Sequence, residues 1–208
     1  MNNIKRSQDL LKKWFGPLSS WDRHTSAPPK EKFAMWFFPS DEVRKSVDDE
    51  FGDLPELYLK GELDSWKESL QGKLSIILVL DQISRNGAKD SADAFKYDNY
   101  ALEISKELVE NGEHSKFTLY ERAFIYLPFE HSEDLALQDK SVELYTELEE
   151  LGKGINEEVH KTAVNFLNYA KNHREIISRF GRYPYRNKVL GRDSTEEELE
   201  WLKSFKGW

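Results

Sequence analysis

The sequence predicts an all-α fold of about eight helices joined by short turns, and three observations lead to this prediction. Apolar residues recur at intervals of three and four along most of the chain, as on the buried face of an amphipathic helix. Residues with helix-capping preferences stand at the ends of these stretches. No stretch combines an alternating apolar pattern with hairpin-turn residues. Stacked antiparallel helix pairs would produce such a sequence.

The first half of the chain predicts short helices. Residues 4–15 carry apolar side chains at helical spacing. Residues 33–38 contain four aromatic side chains and a methionine, a cluster expected in the core. Asp41 is the expected N-cap of a helix over residues 42–51. Residues 73–85 are apolar on nearly every side, and their length and helical context favour a buried helix over a strand.

The second half predicts longer helices with clearer boundaries. Residues 94–109 form an amphipathic pattern. Thr118 and Glu121 match a capping box that opens a helix over residues 119–127, and Pro128 is expected to break or kink it. A further helix covers residues 132–151.

The last two predicted helices follow this one. Gly152 and Gly154 are expected to close the preceding helix, and Asn156 is the expected N-cap of the next. That helix ends at Gly181. Ser194 with Glu197 is the predicted capping box of the final helix.

Length and composition favour a single domain over residues 1–208. Hydrophobic residues make up 38% and aromatic residues 13% of the chain, so large rings are expected to supply much of the core. The net charge of −8 argues against general nucleic-acid binding. The sequence has no cysteine, no signal-peptide pattern and no membrane-spanning run, which predicts a soluble cytoplasmic protein. The oligomeric state is left open.

Three polar stretches are expected to meet in one pocket: residues 80–86, 126–134 and 179–187. Each follows an apolar helix, so its charged groups must find partners next to the core. Glu130 and His131 are candidate catalytic residues, because a carboxylate beside an imidazole can support acid–base chemistry. The candidate ligand-binding residues are Asp81, Arg85, Asn86, Glu133, His173, Arg179, Arg182, Arg186 and Asn187.

Each candidate has a structural alternative. His131 and its neighbours can instead satisfy open backbone groups at a helix junction. The arginines can bind a carboxylate or phosphate, or they can form a buried ionic network with the acidic residues. His173 lies on the buried stripe of its helix and can be a core histidine with one partner. A metal site is not expected, because the spacing of His131, Glu133 and His173 does not suit one, and no cofactor is expected.

Four ordered motifs resemble the family called domain of unknown function 924. They are the stretches Leu80-Asp-Gln-Ile-Ser-Arg-Asn86, Leu127-Pro-Phe-Glu-His-Ser-Glu133, Ile177-Ser-Arg-Phe-Gly-Arg-Tyr-Pro-Tyr-Arg-Asn187 and Leu190-Gly-Arg-Asp-Ser-Thr195. The resemblance runs over nearly the whole chain and implies a helical fold similar to tetratricopeptide-repeat proteins, without an established reaction. Ser84 stands where the family commonly has proline, and Tyr185 where it commonly has histidine.

Three functional hypotheses follow, and one of them assigns RNA binding to the basic strip over residues 171–192. In the first, the polar pocket binds a small anionic molecule or an acidic peptide end, with Glu130 or His131 transferring a proton. In the second, the chain is a tetratricopeptide-like scaffold that binds a peptide or protein partner along a helical groove.

Overall fold

A computed structural model describes residues 3–17, 21–88 and 91–207. Within these residues the chain forms α-helices, short 3-10 segments and one π-helical segment, and no β-strand. The prediction of an all-α fold is confirmed. None of the described helices is both long and apolar enough to cross a lipid bilayer.

The α-helices are numbered here in chain order. They are α1 (Asn3–Phe15), α2 (Lys30–Phe37), α3 (Asp41–Phe51), α4 (Leu54–Leu59), α5 (Leu70–Ile77), α6 (Ser84–Gly87), α7 (Asp98–Glu110), α8 (Leu119–Glu130), α9 (Leu135–Ile155), α10 (Glu157–Phe180) and α11 (Glu196–Ser204). A π-helical segment, Leu78–Ile83, joins α5 to α6, so these three pieces form the single central helix that the apolar run predicts. The 3-10 segments cover Asp64–Glu68, Ala92–Phe95, Glu113–Lys116 and Pro184–Arg186.

The two longest helices, α9 and α10, form an antiparallel hairpin. Only Asn156 separates them, and its side chain accepts hydrogen bonds from the backbone of Glu158 and Val159 at 3.1 and 3.0 Å, as an N-cap does. This pair makes the most extensive helix contact among the described residues, followed by α8 with α9 and, among the longer helices, α7 with α8. Consecutive helices therefore pack against one another, an order compatible with a tetratricopeptide-like stack.

The main hydrophobic cluster contains residues from α1 to α10 and is rich in aromatic rings. Trp14 and Phe124, for example, pack edge to face with their centroids 5.7 Å apart, a favourable geometry for aromatic pairs. The expectation that the whole 33–38 cluster is core was wrong for Phe38, whose side chain is 59% exposed. Trp36 is buried, whereas Phe33 and Phe37 are partly buried, because one side of α2 faces a cavity.

Two predicted caps were wrong by one residue. Ser40, rather than Asp41, caps α3, and its hydroxyl accepts from the backbone N–H of Val43 at 3.3 Å. Thr195 and Glu198 form the capping box of α11. At both helix starts, adjacent residues have similar capping preferences. The exact N-cap position is therefore hard to predict from the sequence.

Two predicted helix ends were also misplaced. Pro128 lies inside α8, which continues to Glu130. Because proline lacks an N–H, this removes only one hydrogen bond, to the carbonyl of Phe124, near the end of the helix. Gly152 and Gly154 lie inside α9. Packing of α9 on α10 outweighs their low helix propensity, which is about 1 kcal/mol per glycine.

The start of the central helix requires glycine at position 72. A Cβ atom there would lie 2.0 Å from the carbonyl oxygen of Trp66. We expect Gly72→Ala to lower the free energy of unfolding by about 1 to 3 kcal/mol, because the backbone of the adjoining 3-10 segment must move. Urea denaturation followed by circular dichroism measures this.

Gly154→Ala is the matched control for that substitution. Nothing lies within 4 Å of a Cβ atom at this position, so alanine is expected to raise the stability of α9 by up to about 1 kcal/mol. Equal effects of the two substitutions would contradict the close packing at Gly72.

Candidate functional site

A cavity of about 370 Å³ lies among α2, α8, α10 and the loop that follows α10. One group of lining residues is polar, namely Gln82, Arg85, Glu130, His131, His173 and Arg186. Another group is aromatic, namely Phe33, Trp36, Phe37, Phe38, Phe124 and Phe166. Aromatic walls with a few convergent polar groups are typical of small-molecule sites.

The π-helical segment places Asp81 behind the polar side of this cavity. The N–H of Ser84 donates to the carbonyl of Val79, five residues earlier, and the Ser84 hydroxyl donates to the carbonyl of Leu80 at 2.6 Å. The hydroxyl thus satisfies a carbonyl that the wider turn would otherwise leave without its usual donor. Such turns within α-helices are frequent at functional sites.

Asp81 is 1% exposed and is surrounded by donors. Its Oδ1 lies 2.6 Å from Nδ1 of His131 and 3.3 Å from Nη2 of Arg85, and its Oδ2 accepts from Gln82 at 2.7 Å. Burial by itself raises the pKa of Asp81, but His131 and Arg85 outweigh it and hold this pKa well below its ordinary value. The carboxylate therefore stays ionised and orients the His131 ring through Nδ1, an arrangement also found in general bases.

Glu130, the last residue of α8, is a buried carboxylic acid. Burial, followed by the negative charge of Asp81, raises the pKa of Glu130 to about 8. The Glu130 backbone carbonyl accepts hydrogen bonds from Tyr183 at 2.5 Å and from Gln138 at 2.7 Å. These bonds fix the end of α8 at the cavity, where Glu130 carries its proton at neutral pH.

His173 is the buried neighbour of Glu130 on α10. Its Nδ1 donates to the carbonyl of Tyr169 at 2.9 Å and lies 3.2 Å from Oε1 of Glu130. Burial lowers the pKa of His173 to about 3, although the hydrogen bond to Tyr169 opposes this, and nearby His131 and arginines lower it further. Glu130 and His173 therefore face each other as neutral groups at neutral pH.

Arg186, which is buried, and Arg85, which is partly buried, complete the polar side of the cavity. Each has an Nε without an acceptor among the described residues, but their carboxylate partners differ. Arg85 donates to Asp98 at 2.7 Å as well as to Asp81. Arg186 is 4% exposed, and its Nη1 lies 3.7 Å from Oδ2 of Asp98, beyond hydrogen-bond distance. Its Nε is buried without an acceptor among the described residues. Its guanidinium lies over the rings of Phe95 and Tyr183, 4.5 and 4.4 Å from their centroids.

These groups give the cavity three chemical capabilities. Neutral Glu130 can donate a proton, and His131, oriented by Asp81, can accept one. Arg186 can attract an anion, because a buried guanidinium with an unsatisfied N–H gains strongly from a charged acceptor. No group of three or more His, Asp or Glu side chains among the described residues is arranged to hold a metal ion.

The structure brings six of the sequence-derived candidates to this cavity: Asp81, Arg85, Glu130, His131, His173 and Arg186. The expectation that Arg179 and Arg182 also converge there was wrong. Arg179 is exposed and pairs with Glu197 at 2.8 Å. Arg182 makes a two-bond ion pair with Glu198 at 2.7 and 2.8 Å, because the turn after Gly181 directs it toward α11.

Glu133 and Asn187 also lie outside the cavity. Glu133 binds Arg192 through two hydrogen bonds of 2.6 and 2.9 Å. Asn187 accepts from Arg192 at 3.0 Å and donates to Ser194 at 3.0 Å and to Glu198 at 3.2 Å. These contacts hold the loop after α10 in place. In this part of the motif the polar residues therefore pair with one another, as the alternative of an ionic network expects.

Asn86 likewise points away from the cavity. Its side-chain oxygen accepts from Arg44 of α3 at 3.2 Å, because Asn86 follows Asp81 by five residues on a helix and faces another direction.

Sequence reasoning missed Asp98 and the aromatic wall. Asp98 falls on the apolar stripe of the pattern over residues 94–109, and a carboxylate there signals a buried partner. Phe33 and Phe37 gave no comparable signal, because an aromatic cluster lining a cavity looks the same in sequence as one filling a core.

The buried neutral state of Glu130 predicts a specific pH dependence. Because its folded pKa is raised, its contribution to stability is complete below the ordinary value of 4.5 and is lost as pH rises through about 8. His173, whose folded pKa is lowered, loses its contribution as pH falls from 6.5 toward 3. Between pH 6.5 and 8, Glu130 therefore lowers the free energy of unfolding as pH rises, and His173 does not oppose this change.

We expect Glu130→Gln, which stays neutral, to remove a decline in the free energy of unfolding between pH 6.5 and 8. One proton contributes at most about 1.4 kcal/mol per pH unit. Chemical denaturation at several pH values measures this, and Glu143→Gln on the exposed face of α9 is the control. Identical pH dependence of the original chain and Glu130→Gln would contradict a neutral Glu130.

Comparison with known proteins agrees with this architecture. The profile of the family described as bacterial protein of unknown function, DUF924, matches residues 10–205. A solved structure of a protein of unknown function from Agrobacterium tumefaciens is similar, with a TM-score of 0.76 and 27% sequence identity, and the match covers 98% of this chain and all of that one. No curated protein matches the sequence. This chain belongs to the DUF924 family.

Proposed function

We propose that the cavity binds a small organic anion. The observation that carries this proposal is Arg186, a buried cation on the cavity wall whose Nε has no acceptor among the described residues and whose Nη1 lies 3.7 Å from Oδ2 of Asp98, beyond hydrogen-bond distance. Burying an arginine without hydrogen-bonded partners is costly. A bound anion offsets this cost when it supplies the missing acceptors.

The charges around the cavity also favour the binding of an anion. Arg85 and Arg186 balance Asp81 and Asp98, while Glu130 is neutral below a pH of about 8. A bound anion can therefore contact the Arg186 cation and a hydrogen-bond donor. Glu130 does not repel it, because Glu130 is neutral.

The acid–base part of the proposal assigns two roles. His131 takes a proton from the ligand, and Glu130 returns one at a second position. Both transfers together leave the composition of the ligand unchanged, and exchange with solvent then removes the proton from His131 and returns one to Glu130, so no co-reactant is needed. Deuterium incorporation into ligand recovered from D₂O measures this step, and we expect His131→Gln to abolish it.

Anion binding is tested by thermal shift with acetate, benzoate and inorganic phosphate. We expect at least one of these anions to raise Tm in proportion to the logarithm of its concentration. Arg186→Gln should weaken that anion about tenfold to a hundredfold, the effect of losing one charged hydrogen bond.

Arg179→Gln is the matched control, because Arg179 lies in the same segment but pairs with Glu197 on the surface. It is expected to leave binding unchanged. Circular dichroism of both variants separates loss of binding from loss of folding. If no anion stabilises the unsubstituted chain, or if both variants bind as it does, the proposal is wrong.

A second candidate function is recognition of a peptide carboxyl end. It is favoured by the exposure of Phe38 and Tyr169, two cavity-lining residues that are 59% and 39% exposed. They could contact the residues of a peptide whose terminal carboxylate reaches Arg186. Binding of peptides with free carboxyl ends, compared with their amidated forms, tests this alternative.

A further inference from the structure

The aromatic side of the cavity offers no donor for an anion, and it is suited to contact another part of a ligand. Phe37 stacks on Phe124 with centroids 6.2 Å apart and planes 11° from parallel, and it also contacts Phe166 at 5.8 Å. Phe33 packs against Phe37 at 4.9 Å. These rings form one continuous apolar wall from α2 to α8 and α10, which favours contact with an apolar body.

The polar side favours one negative charge over two. Of the two arginines that line the cavity, Arg186 has no hydrogen-bonded carboxylate among the described residues, whereas Arg85 already donates to Asp81 and Asp98. A second negative charge on the ligand would face Asp98, whose Oδ2 lies 3.7 Å from Arg186. Repulsion between like charges in a buried site opposes a phosphate dianion and favours a carboxylate.

The volume limits the size of the ligand. The cavity of about 370 Å³ lies at the lower end of the range of roughly 300–1,000 Å³ that is common for ligand pockets, which suits a small ligand. An eight-carbon carboxylate, with ten non-hydrogen atoms, fits this space. Longer chains would extend past Phe38, the most exposed aromatic residue of the wall.

We infer that the ligand is an amphipathic organic monocarboxylate, with its carboxylate at Arg186 and an apolar body of about six to ten carbons along the Phe33, Phe37 and Phe124 wall. This inference rests on the proposed function, because it assigns the chemical class of the anion. It adds that most of the selectivity among anions comes from the apolar body.

A chain-length series tests the inference by isothermal titration calorimetry at pH 7. The ligands are acetate, butyrate, hexanoate, octanoate and dodecanoate, with octan-1-ol and inorganic phosphate as comparisons. Affinity is expected to rise about fourfold for each added methylene, the value for a fully buried group. It should level off between octanoate and dodecanoate, where the chain reaches solvent.

Two substitutions separate the parts of the site. Phe33→Ala is expected to weaken octanoate about tenfold and to leave acetate unchanged, because it removes part of the apolar wall. Arg186→Gln should weaken acetate and octanoate by the same factor. Leu199→Ala, at a residue of α11 that is 52% exposed and not among those lining the cavity, is the control and should change neither.

Different results would contradict the apolar body, the monocarboxylate class and the anion site. If acetate and octanoate bind equally, the inference about the apolar body is wrong and the anion site stands. If phosphate binds more tightly than octanoate, the monocarboxylate class is wrong. If octan-1-ol binds as tightly as octanoate, or if no anion binds at all, the proposed function fails together with the inference.

Discussion

The buried carboxylate of Asp81 is the constraint on which the polar core of this protein depends. A carboxylate with 1% exposure is stable only when charged or donor groups surround it. Here those groups come from distant parts of the chain, since His131 approaches from the end of α8 and Arg85 from the following turn of its own helix. Arg85 in turn holds Asp98 at the start of α7. Satisfying one charge therefore fixes the relative positions of three helices around the cavity.

The same carboxylate governs the protonation of its neighbours. Burial keeps Glu130 neutral, and the negative charge of Asp81 reinforces this effect. Burial also keeps His173 neutral despite its hydrogen bond to Tyr169. A wall with a neutral acid, a neutral imidazole and an incompletely paired guanidinium differs from a closed ionic network. A closed network of this kind does occur elsewhere in the molecule, near the loop after α10. It consists of Glu133, Arg192, Asn187 and Glu198, which bond to one another.

The two departures from the family pattern have local physical consequences. At Ser84, both the N–H and the hydroxyl donate to backbone carbonyls of the π-helical segment, and proline could supply neither donor. At Tyr185, the ring lines the cavity and stacks on Phe205, with centroids 5.3 Å apart. The aromatic ring thus ties the cavity wall to the chain beyond α11. Neither residue disturbs the contact between Asp81 and His131.

The sequence by itself determined the helical class, most helix positions and the meeting of the three motifs, because periodicity and caps are local and charges next to apolar runs require partners. It could not determine which charges pair. Arg182 and Arg186 are four residues apart, yet Gly181 and Pro184 bend the chain so that one reaches Glu198 and the other the cavity. Nor could it show that Phe33 and Phe37 border empty space. Both features depend on how distant helices pack, which no local pattern encodes.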